Sequence, residues 1–112
     1  MNTAVDYLYR DASNYQMPQH EVIKGLITED QITRILTCLY DGEYFIPSQV
    51  GLSEKRFADT PTDDDHCWFE LDYDSFQPTE EEPTVNMTPL ELADKFDMAA
   101  DKWDETAWLS NL

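Results

Sequence analysis

DDDHCWFELDY, residues 63–73, carries the clearest strand pattern of the chain. Three aspartates lead into strict alternation, with Cys67, Phe69, Leu71 and Tyr73 on one side and His66, Trp68, Glu70 and Asp72 on the other. A period of two predicts a half-buried strand whose apolar face floors a core. The polar face collects most of the groups here that can do chemistry or recognition.

Upstream, Ala4–Arg10 alternates Val5, Tyr7 and Tyr9 against Asp6, Leu8 and Arg10, a β-branched and aromatic pattern that predicts a strand. Asp11–Gln19, with Asn14 and Pro18, reads as a loop. Glu21–Ile27 reads as a second, antiparallel strand with Gly25 marking a bulge or close approach. Thr28 opens a helix, because Thr28 and Gln31 form a capping box and Glu29 and Asp30 suit the positive end of the helix dipole. Ile32, Ile35, Leu36 and Leu39 follow at helical spacing, and Gly42 is the expected stop. Glu43–Pro47 reads as a short strand, and Ser48–Pro61 as a long excursion tethered by Val50, Leu52 and Phe57.

Downstream, Gln77–Val85 is acidic and flanked by prolines, the mark of a solvated linker. Thr88 then caps a second helix, with Pro89 at its first position and Glu91 closing the capping box. Leu92, Phe96, Ala99, Trp103 and Ala107 gather on one face. The chain therefore reads as one α+β domain, 1–112. Residues 4–76 supply an antiparallel sheet of three to four strands plus one packed helix, 77–87 an acidic linker, and 88–106 a C-terminal acidic amphipathic helix.

Three segments resemble a family of small bacterial and mobile-element proteins to which no activity is attached. They are YLYRDASNY (7–15), GEYFIPSQVGL (42–52) and DDDHCWFEL (63–71), with a looser likeness in PTVNMTPLEL (83–92). Ser53 stands where similar members carry proline. The resemblance implies a compact domain and nothing about mechanism.

Charge is the feature that asks for a function. The 112 residues hold 24 Asp and Glu against 7 Lys and Arg, for a net charge of −17. It is uneven: residues 1–50 carry 7 acids and 3 bases, and residues 51–112 carry 17 and 4. Such a field repels nucleic acid and anionic lipid and attracts basic protein surfaces or cations. The plainer explanation is solubility. Cys38 and Cys67 lie far apart in apolar segments and read as buried free thiols of a reducing compartment. With no secretory leader pattern and no apolar run of membrane-spanning length, a cytoplasmic location is expected.

Three constellations compete. Asp63, Asp64, Asp65, His66 and Glu70 offer oxygen and imidazole ligands for a divalent ion, although aspartate runs before strands are more often solvated turns. Arg10, Asp11, Asn14 and Tyr15 would converge with His66 and Glu70 into an acid/base set if the first strand and the Cys67–Tyr73 strand are neighbours. His20 falls on a separate loop in this reading. The third is the second helix, where Glu91, Asp94, Asp97, Asp101, Asp104 and Glu105 share one arc. At ~1.5 Å rise per residue they present one carboxylate per ~3.5 Å, near the ~3.4 Å phosphate spacing of a DNA strand.

Lys95 and Lys102 border that arc, and its last acids oppose the helix dipole, so they read either as kept for an interaction or as an ordinary solvated face. Trp68 reads either as packed under the C-terminal helix or as an exposed interface anchor, Trp103 as core, and Trp108 as docked or partner-facing. The expectation is a non-catalytic acidic module without cofactor that binds a basic protein surface, by analogy of charge with DNA-mimicking inhibitors. The alternatives are a small metal-binding or hydrolytic enzyme and a housekeeping domain.

Overall fold

The computed structural model describes residues 1–10, 16–54 and 68–104, with the side chain of Arg10 outside that description. Its organising element is β1, Asn2–Arg10. The alternation read from its sequence holds: Val5, Tyr7 and Tyr9 are buried while Asp6 is exposed. β2, Gln16–Ile23, pairs antiparallel along its whole length, from Thr3 opposite Ile23 to Arg10 opposite Gln16. This strand begins earlier and ends earlier than Glu21–Ile27, so Gln16–Gln19 belong to it and not to a loop. Gly25, just past its end, has φ +100° and turns the chain toward the first helix.

The other edge of β1 is shared by two short strands. β4, Phe69–Glu70, pairs with Leu8 and Tyr9, and β5, Phe76–Thr79, pairs with Asn2–Val5. Both run antiparallel to β1 in the same direction, so together they are one strand interrupted. Between the two registers, Asp6 and Tyr7 of β1 face the five residues Leu71–Ser75, which bulge out through a 3-10 turn at Tyr73–Ser75. Three extra residues are an odd number, so the inward parity flips across the bulge. Phe69 faces the core before it and Phe76 after it, while Tyr73, expected inside, is 48% exposed.

The strand read as Cys67–Tyr73 is thus a two-residue strand among the described residues, and Cys67 lies outside them. The supposed linker at Gln77–Thr79 is a strand. The sheet is five-stranded, completed by β3, Tyr44–Phe45, which pairs with β4. By the alternation of an antiparallel ladder, Pro18 in β2 and Pro78 in β5 sit where a backbone N–H would point away from β1. Proline at these positions discourages further strand addition along β2 and β5.

Both helix starts are as the sequence predicts. α1, Glu29–Thr37, has the complete Thr28–Gln31 capping box, and α2, Pro89–Ala99, that of Thr88–Glu91. α1 stops at its Cys38 cap, short of Gly42. Gly42 and Asp41, both at positive φ, instead make the reversal that pairs Tyr40 with Tyr44. α2 is shorter than 88–106. It ends at Ala99, and Asp101 (φ +60°) sends the chain off the axis. The backbone of Asp104 is then held by Gln49, at 3.1 Å through its N–H and 2.9 Å through its carbonyl.

The helices cover one face of the sheet. Ile32, Ile35, Leu92 and Phe96 meet Val5, Tyr9, Phe45 and Phe69 in one core. Aromatic rings link its layers, Tyr9 to Phe69 at 5.1 Å and Phe45 to Phe96 at 5.5 Å. Trp103 is partly buried, edge-on to Phe96 at 5.9 Å, and donates its indole N–H to the Cys38 carbonyl at the end of α1. Among the described residues, no helix is long and apolar enough to cross a membrane.

Candidate functional site: an acidic cleft on the outer sheet face

The face of the sheet away from the helices is left partly open, and two segments frame it. From the end of β5 beside Asn2, residues 80–83 must reach Thr84, whose N–H donates to the Val22 carbonyl on the outer edge of β2. They cross the outer face, as the contacts of Glu81 show. Its carbonyl accepts from Asn2 Nδ2 at 2.9 Å and its carboxylate meets His20 Nε2 at 2.6 Å. The second frame is the Leu71–Ser75 bulge, held by the Asp72–Ser75 capping pair. The acidic segment 80–87, exposed from Glu80 to Thr84, is a strap with defined partners.

Beside the bulge opens a cleft of about 900 Å³ that runs from Pro18 and His20 on β2 across Asp6 and Leu8 to Leu71–Ser75, and reaches Leu36 of α1 past the bulge. Leu8 and Pro18 on the sheet, with Leu36 and Leu71, give it apolar surface, while Asp6, Glu43, Glu70, Asp72 and Asp74 bring five carboxylates. Its described lining contains no lysine or arginine; His20 is the cationic group it holds. The bulge is what gathers these acids, because it turns Asp72 and Asp74 outward beside the Glu70 of β4.

His20 lies on β2, directly opposite Asp6, and not on a loop. Its Nδ1 is 2.6 Å from Asp6 and its Nε2 2.6 Å from Glu81, so both nitrogens need a proton to donate. The hydrogen bond to Asp6, then that to Glu81, raises its pKa above the ordinary histidine value. When protonated, the ring fastens the strap to the sheet through both carboxylates.

Next to the cleft, the Asp41–Gly42 reversal sets aromatic groups beside acids. Tyr40 stacks on Trp68 with centroids 4.7 Å apart and planes 17° from parallel. Tyr44 sits opposite Glu70 on the outer face. The charge of Glu43, followed by burial and the charge of Glu70, raises the Tyr44 hydroxyl above its usual pKa. Trp68, expected as an anchor, is half-buried in this stack, and Tyr40, 55% exposed, presents the aromatic surface. Tyr40, Glu43, His20 and Glu81 escaped the sequence reading. The Asp-Gly pair at 41–42, a hairpin-turn signal, was the clue to the first two.

The acids expected on α2 fare differently. Arg34 of α1 reaches Asp94 at 2.6 Å and also pairs with Asp97 through both Nε and Nη2. That bond holds Asp97 below the usual carboxylate range, and Cys38 Sγ approaches its other oxygen at 3.4 Å. Glu91 is engaged in the N-terminal capping box. Asp101 and Asp104 follow the end of the helix, and Glu105 lies outside the described residues. The regular row of six carboxylates is therefore absent from the described structure, because the helix stops at Ala99.

Of the other constellations, Asp63, Asp64, Asp65 and His66 lie outside the described residues, as do Asp11, Asn14, Tyr15, Phe57, Ala107 and Trp108. β1 and β4 are neighbours, as the acid/base set required, and Glu70 is its described member. Among the described residues, no cluster of three or more His, Cys, Asp or Glu is placed to hold a metal. Cys38 is a buried free thiol, raised in pKa chiefly by burial.

On the inner side, Tyr7 donates to the Ser53 carbonyl at 2.6 Å, and burial pushes its hydroxyl up to about 12. Ser53 and Thr84 both donate to Glu21, at 3.0 and 2.8 Å, tying two loops to the edge of β2. Comparison with protein families, curated proteins and solved structures found no match.

Proposed function

We propose that this chain is a non-catalytic acidic interaction module, and that it binds a basic surface of another protein through the outer-face cleft. One observation carries the reading: five carboxylates converge on a cleft whose described lining has no lysine or arginine. Clefts lined by one sign of charge focus the field and attract a partner of the opposite sign. The net charge of −17 supplies the long-range attraction, and the apolar floor supplies area to bury.

The nucleic-acid-mimic reading rested on phosphate-like spacing along α2. With two of those acids paired to Arg34 and the helix ending at Ala99, the cleft is the better-supported contact. Competition for a nucleic-acid site stays a proposal about the partner. The metal-binding or hydrolytic alternative depends on His66 and Asp63–Asp65 joining Glu70. Ionic-strength-matched melting with and without divalent ions tests it, since a ligand that prefers the folded state raises the melting point.

The direct test is capture of basic proteins at low and high salt by the parent, by a cleft variant (Glu43→Gln, Asp72→Asn, Asp74→Asn) and by a helix variant (Asp94→Asn, Asp101→Asn, Asp104→Asn). Salt-sensitive capture by parent and helix variant, lost in the cleft variant, is expected. Loss in the helix variant alone would return the interaction to α2. No salt-sensitive capture by the parent would leave the acidity as a solubility device.

A further inference from the structure

The cleft has a border that distinguishes one kind of cation from another. The reversal at Asp41–Gly42 puts Tyr40 and Glu43 on the same turn, the Glu43 N–H donating to the Tyr40 carbonyl at 3.1 Å. Tyr40 lies flat on Trp68, so its ring has a fixed plane, and more than half of its surface remains exposed. Glu43 and Glu70 line the cleft beside it, and Glu70 is paired across the sheet with Tyr44. A rigid aromatic face next to carboxylates suits a planar, delocalised cation better than a compact ammonium. Guanidinium stacks on the ring while its N–H fork meets carboxylate oxygens, whereas lysine offers a hydrated point charge.

Proline at the outward positions of β2 and β5 argues against strand addition at those two edges, and the cleft acids lie on the sheet face and its bulge. We infer that the occupant of the cleft is an extended segment of a basic protein that carries arginine, with one guanidinium seated on Tyr40 beside Glu43. This rests on the cleft reading above and names the chemistry it selects. His20 lies at the β2 end of the cleft, bound to Asp6 and Glu81.

The test uses two labelled peptides of equal length and charge, one alternating glycine with arginine and one glycine with lysine. Fluorescence anisotropy against the full chain at low salt reads their affinities. The arginine peptide should bind several-fold tighter. Tyr40→Leu, which still covers Trp68, should weaken the arginine peptide by roughly three- to tenfold and leave the lysine peptide nearly unchanged, and Tyr40→Phe should restore the preference. Equal binding of the two peptides, both lost in the Glu43/Asp72/Asp74 variant, would overturn the arginine assignment and leave the cleft reading standing. An unchanged arginine affinity in Tyr40→Leu would do the same. If neither peptide binds, both readings fall.

Discussion

The chain carries two acidic surfaces, and they are built on opposite terms. On the flank of α2, Asp94 and Asp97 are answered by Arg34 from the neighbouring helix, so their charge is spent holding α1 to α2. On the outer sheet face, Glu43, Asp72 and Asp74 are brought together by a bulge and a turn, with no lysine or arginine in the described lining. The first surface is acidic in sequence and structural in use. The second is scattered in sequence and convergent in space. A count of carboxylates along a helix does not reveal which are available; one arginine on another element decides that.

The fold is most sensitive at the packing beneath α2. Phe96 is fully buried against Phe45 and Trp103, and Phe96→Ala should cost roughly 3–5 kcal/mol, read as a fall in the urea midpoint. A smaller loss, about 1 kcal/mol, is expected when Thr88→Ala removes the α2 cap, with a similar cost for Thr28→Ala in α1. Equal effects of these two would show that both helices are coupled to the whole fold.

The pH dependence separates the two surfaces by sign. His20 has a raised pKa in the folded protein, so its clasp contributes fully below the unfolded value of about 6.5 and is lost as pH rises through the folded pKa. Asp97 has a lowered pKa, so its contribution is present above the ordinary carboxylate value and is lost as pH falls through the folded one. Melting points of His20→Gln should therefore match the parent more closely in alkali than at neutrality. Those of Asp97→Asn should converge on the parent in acid. The opposite pattern would mean the two clasps are misassigned.

The smallest effect is the sharpest contrast. Asp97→Asn should lower the melting point at neutral pH because it breaks an ion pair. Asp74→Asn should leave it unchanged or raise it slightly at low salt, by relieving repulsion among the cleft acids. A loss in both would deny the distinction between the two surfaces.

Much of the fold was legible because local rules agreed. Both capping boxes, Pro89 at the helix start and the alternation of Val5, Tyr7 and Tyr9 each carry their cause within a few residues. The bulge was not legible, since continuous alternation through Tyr73 looks the same until the partner strand sets the register. The end of α2 was hidden for a related reason. Trp103 fits the apolar period, yet it is placed by its bond to the Cys38 carbonyl and by Asp101 leaving the helix. The site itself was half legible: Trp68 and Glu70 stood out, whereas Tyr40, Glu43 and His20 acquire meaning from the turn and the register.

The split partner of β1 also sets an order of events. β1 gains β2 within a few residues, but Val5 meets Phe76 only after some seventy more have been made. At synthesis rates of ~5–20 residues per second, one edge of an aromatic-rich strand waits roughly 4–14 s for its mate. Pairing across such a separation is also slow to form, because closing the loop costs entropy before any contact repays it. Asp6, which faces the interruption between β4 and β5, places a charge in the middle of that waiting strand. A charge at that position of an unpaired strand disfavours pairing with its own copies.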